Sequence, residues 1–138
     1  MMWILYALLS ALFAALTSIF AKIGVQNVNS NLATAIRTVV VLAIAWGVVF
    51  FTKKQNEIVL ITQKNWWFLC LSGCATGLSW LFYYKALQLG DASKVIPIDK
   101  FSLVIGMVLA FFVLGETASL KTILGGLLIT IGTFVLIL

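Results

Sequence analysis

Histidine is missing from this chain, cysteine occurs twice, proline once, and acidic residues number only four. Each scarcity removes a class of chemistry. Without histidine there is no Ser-His-acid triad, and Cys70 and Cys74 alone are too few soft ligands for an ordinary zinc or copper site. The two thiols stand four residues apart in an apolar stretch, which places them on one helix face as small packing residues, outside the CxxC spacing of a redox pair. No glycine-rich nucleotide loop is present, and Glu57, Asp91, Asp99 and Glu116 form no pair with hydrolytic spacing. The sequence predicts a protein that is not an enzyme and needs no metal or cofactor.

Charge is the other deficit. Only 9% of the residues are charged, against about a quarter in soluble domains. The space is filled by 63% hydrophobic residues and the mean hydropathy is +1.16, so water is the wrong solvent for most of this surface. The net charge of +5 comes from cations scattered singly apart from Lys53-Lys54. That is too sparse for a nucleic-acid surface and fits contact with anionic lipid headgroups. A membrane span takes about 20 apolar residues, and five spans leave only short connections in 138 residues. The expected fold is all-α, a polytopic membrane protein with five transmembrane helices in a single domain over residues 1–138.

The spans read as Trp3 to Ala21, Leu32 to Phe51, Trp66 to Tyr84, Ala92 or Ser93 to Leu114, and Ser119 to Leu138. The opening Met1-Met2-Trp3 lacks the basic region of a signal peptide, so the first span is expected to be retained. Small residues recur every fourth position in span 1 (Ala7, Ala11, Ala15; Ser10, Ala14, Ser18), and Gly73 and Gly77 do the same in span 3. Such faces admit a neighbouring helix closely. Trp66 and Trp67 open span 3 where indoles sit at the membrane interface.

Ionisable groups inside apolar spans are costly and therefore informative. Arg37 lies two turns into span 2, with Ser30 and Thr34 on the same side. Its long stem allows either snorkelling to the headgroups or a ligand role. Trp80, Tyr83 and Tyr84 form either an aromatic belt or the wall of a polar pocket. Asp99 and Lys100 lie about 10 Å into helix 4, and neighbouring helix positions do not face each other well. They read either as a structural ion pair or interface anchors, or as groups facing a solvated cavity. Pro97 is expected to tilt or kink the helix, and Glu116 to satisfy N–H groups of the loop or of the start of helix 5.

The order of short motifs resembles one repeat of the EamA family within the drug/metabolite transporter superfamily. The match runs through Tyr83-Tyr84-Lys85-Ala86-Leu87, Gly90-Asp91-Ala92-Ser93, Val95-Ile96-Pro97-Ile98, Leu114-Gly115-Glu116, Gly125-Gly126 and Gly132. Ser10, Lys22, Gly24 and Arg37 extend it toward the amino terminus. The resemblance implies a transporter of metabolites or small organic solutes in a bacterial-type inner or plasma membrane. It also implies that helices 1 to 4 wall the cavity, helix 5 serves as scaffold, and a second copy supplies the missing inverted repeat. Alternating access follows from that pairing. Related small multidrug resistance proteins carry an acid in helix 1, where this chain has only Ser10, Thr17 and Ser18, which weakens export of organic cations as an alternative. A membrane scaffold without transport is the main rival reading, and small-residue faces would also serve it. Lys53, Lys54, Lys64 and Lys121 fall on one side of the expected topology, and Lys22, Arg37, Lys85, Lys94 and Lys100 on the other. This near balance predicts weak orientation bias and an antiparallel homodimer.

Overall fold

The computed structural model describes residues 2–138, and every regular element among them is helical. Six α-helices follow one another: α1 (Met2–Gly24), α2 (Ser30–Phe51), α3 (Gln63–Leu89), α4 (Ala92–Asp99), α5 (Ser102–Val113) and α6 (Leu120–Ile137), with a 3₁₀ turn at Gln55–Leu60. The chain is an all-α polytopic membrane protein. Three segments combine membrane length with sufficient apolarity: Met2–Gly24, Ser30–Phe51, and α4 with α5 as Ala92–Val113. The other two fall short for opposite reasons. At 27 residues α3 is long enough, but Trp, Tyr, Ser, Thr and Gly residues along its middle lower the apolarity of the stretch between its polar ends. α6 is apolar but short, with Leu120–Leu136 as its apolar part.

Local chemistry explains the boundaries. Asn29 caps α2, its side chain accepting from the N–H groups of Asn31 at 2.9 Å and Leu32 at 3.3 Å, which satisfies donors left open at a helix start. The far end of α2 closes by a Schellman turn. Lys53 takes φ 56°, its N–H bonds Phe50 O at 3.1 Å, and Lys54 N–H bonds Val49 O at 3.0 Å. Beyond it Lys54 pairs with Glu57, and the hydrogen bond and charge of that carboxylate raise the lysine pKa. Ser119 caps α6, accepting from Thr122 N–H at 3.1 Å.

The expected fourth helix is divided. Pro97 inside α4 has no N–H to return to Ser93, and the backbone tightens just beyond it. Phe101, Leu103 and Val104 all bond three residues back, at 2.9 to 3.0 Å, a 3₁₀ pattern. α3 in turn runs five residues past the expected end of span 3, taking Lys85 and Gln88 into the helix.

The chain divides into two compact units, Ile19–Leu89 and Met1–Ser18 with Gly90–Leu138. In the first, α2 packs against α3, and the buried apolar residues are Ala21 and Val25 around the end of α1 with Tyr84 and Leu87 of α3. In the second, α4 and α5 pack against α6, with Phe101 meeting Phe134 edge-on at 6.4 Å. Most large apolar side chains elsewhere remain exposed, Phe51 to 90%. Hydrocarbon therefore has to do what a core does in a soluble protein. Hydroxyls inside the helices are satisfied locally: Ser18, Thr34, Thr38, Thr76, Thr130 and Thr133 each donate to the carbonyl four residues back at 2.8 to 2.9 Å.

Candidate functional site: a guanidinium on an aromatic face

Arg37 is the eighth residue of α2, about 10 Å along the axis from Ser30. Trp80 and Tyr84 lie one turn apart on α3, so the packing of α2 on α3 brings all three together. The guanidinium carbon sits 3.9 Å from the Trp80 ring centroid and 5.8 Å from that of Tyr84. Tyr83 meets Tyr84 edge-on, with centroids 6.4 Å apart and planes at 68°. Four of the residues singled out from sequence thus form one cluster within one unit, and Tyr84 is buried.

Aromatic faces attract a cation by about 0.5 to 2 kcal/mol, but they do not cancel its charge. Among the described residues the ion pairs are Lys54–Glu57 and Lys100–Asp99, and neither includes Arg37. Its Nη1 is buried and, among the described residues, has no hydrogen-bond partner. Thr34 and Thr38, on the same helix, donate their hydroxyl protons to Ser30 O and Thr34 O.

Asp99 and Lys100 belong to the other unit. Of the partners open to them on sequence grounds they take each other, with Lys100 Nζ 3.3 Å from Asp99 Oδ2. The ammonium reaches sideways at the tightened turn where α4 ends, and both groups remain partly exposed. Glu116 is exposed in the connection before α6, and the cap expected of it comes from Ser119. A shallow apolar hollow of about 210 Å³ lies between α5 and α6, where Met107 approaches Gly126.

The fold and the cluster give the comparison with known proteins its context. All of residues 1–138 match the EamA-like transporter family. This chain belongs to that family. A protein of Sinorhizobium sp. described as an uncharacterized transporter in the cobO 3' region is 47% identical over 134 residues, covering 97% of this chain and 95% of that protein. An uncharacterized protein of Methanocaldococcus jannaschii is 29% identical over 133 residues, covering 96% and 94% of the two chains. No solved structure matches significantly.

In this EamA-like chain the family motifs at the end of α3 do something that sequence reasoning missed. Lys22, in the last turn of α1, donates to Leu87 O at 2.7 Å, one of the carbonyls left open at the end of α3. Gln88 returns the connection, its Nε2 donating to Val28 O at 2.8 Å and Val25 O at 3.4 Å, and Lys85 donates to Gln88 Oε1 at 3.4 Å. A polar cavity of about 440 Å³ lies beside this stitch, lined by Lys22, Val25, Gln26, Asn27, Leu87 and Gln88. The available signal was polar residues at two helix ends, but spacing alone does not show that two ends meet. As an EamA-like transporter the protein is not an enzyme.

Proposed function

We propose that this chain is one half of a small-solute transporter, working by alternating access with a second copy of itself in the opposite membrane orientation. α1, α2, α3, the α4–α5 pair and α6 make the five membrane crossings. The observation that carries the reading is a cation fixed on aromatic faces inside a membrane-length apolar helix, in a chain that belongs throughout to a transporter family. An unneutralised charge within such a span is costly. Arg37, Trp80, Tyr83 and Tyr84 form the solute-handling cluster. Pro97 and the Asp99–Lys100 pair mark the break between α4 and α5, and broken helices are where such transporters flex. The 47% identical relative, itself described as a transporter and covered to 95% of its length by the alignment, supports a unit of this size as sufficient for transport. The expected membrane is a bacterial-type inner membrane.

Reconstitution tests this directly. Purified protein in sealed vesicles, offered a broad mixture of labelled solutes, is expected to accumulate a subset of them with saturation. Correctly inserted protein that moves none would favour the scaffold reading. Orientation is read separately, by placing single cysteines near each terminus in a background lacking Cys70 and Cys74. Matching fractions labelled from one side at both termini indicate two orientations, and one-sided labelling excludes them.

A further inference from the structure

We propose that Arg37, presented by Trp80, is a receptor for an oxyanion: the carboxylate or phosphate group of a solute or a lipid headgroup. As a solute site this deepens the transport reading and rests on it. A guanidinium offers two different surfaces, a flat face that stacks on aromatic rings and an edge of N–H donors matched to the paired oxygens of carboxylate and phosphate. Here the face is used, at 3.9 Å over the indole, and the edge retains a buried donor, Nη1, without a partner. A neutral carbonyl would satisfy that donor yet leave the charge unbalanced. An oxyanion does both.

Glu57 is paired with Lys54 and Asp99 with Lys100. Among the described residues Arg37 thus lacks an acidic partner within its own chain. A lysine at this place could carry the charge but could not stack and fork together. Trp80 acts as a positioning residue, since one ring face is covered by the cation it holds, and its removal should release Arg37 without removing charge.

The test uses the full chain in vesicles of phosphatidylcholine alone and in vesicles containing phosphatidylglycerol. Tryptophan fluorescence is titrated with sodium acetate and sodium phosphate, and with acetamide and choline as neutral and cationic controls. Trp80→Phe identifies the part of the signal that comes from Trp80. A saturable response to acetate or phosphate in neutral vesicles assigns a soluble anion, and a response only to phosphatidylglycerol assigns a headgroup. Either supports the oxyanion receptor. Arg37→Gln should weaken the response roughly ten- to a hundredfold, and Arg37→Lys, which keeps charge without the fork, should weaken it several-fold. A response no greater than that to acetamide, or an inserted Arg37→Gln protein that titrates like wild type, overturns the proposal. If Arg37→Gln does not insert, a wild-type titration by Arg37→Lys overturns it instead. Failure of anion binding with solute uptake intact removes this assignment and leaves transport standing; anion binding without uptake removes transport alone.

Discussion

Arg37 and Lys100 both lie within apolar segments of this protein, and the two compact units treat them differently. In the Ile19–Leu89 unit Arg37 rests on Trp80 and Tyr84 with no acid beside it. In the other, Lys100 closes on Asp99 at a break in the helical path. The first arrangement keeps a positive charge and a buried donor. The second cancels its own charge at a turn that remains partly exposed. The contrast is one of charge: among the described residues Arg37 is left without an acid and Lys100 is completed by its neighbour, and whether that difference separates binding from structure is open to direct test.

The largest expected effect sharpens that contrast. Arg37→Gln should lower kcat/KM for the transported solute by roughly ten- to a hundredfold, as loss of a charged hydrogen bond does. The double variant Asp99→Asn with Lys100→Gln, which removes a partly exposed pair, should cost about fivefold at most. Equal losses in uptake assays, corrected for inserted protein, would break the comparison.

A second prediction concerns how each unit is held. Gln88→Leu removes bonds to two loop carbonyls and should lower stability by about 1 to 3 kcal/mol. Gly126→Ala in the other unit brings a new methyl to 3.1 Å from the end of Met107. That flexible side chain should yield at a cost of about 1 kcal/mol or less. Thermal unfolding in detergent ranks the two, and a larger loss at Gly126 would show that the apolar unit is the more tightly fitted.

A third pair tests the turns. Lys53 and Gly115 both adopt positive φ, at 56° and 68°. Lys53→Gly should relieve left-handed strain and stabilise by at most about 1 kcal/mol, while Gly115→Ala should destabilise by about as much. The sign of each shift in unfolding midpoint is the readout. The smallest effect belongs to the Asp99–Lys100 pair itself. A double-mutant cycle on stability should give a coupling of about 0.2 to 1 kcal/mol, and a much larger value would mean that the pair is a buried lock.

Every one of these residues is visible in the sequence, but not every role. Composition and the length of the apolar runs determined the membrane environment and the helical class, because nothing but helices or closed barrels satisfies backbone groups in hydrocarbon. Motif order carried the family, since it is a property of the linear chain. Arg37, Trp80 and Tyr84 were legible as candidates because charge and amphipathic rings are anomalous in such segments. Tertiary structure alone decided that the indole lies under the guanidinium, as helical periodicity gives the face of α2 and of α3 but not which faces meet. It also gave the cap of α6 to Ser119 in place of Glu116 and paired Asp99 with Lys100 at a turn that regular helix geometry does not contain. The stitch from Lys22 to Leu87 O and from Gln88 to Val28 O joins residues more than 55 positions apart. A carbonyl left open at a helix end can be assigned its donor only once the chain has brought that donor to it.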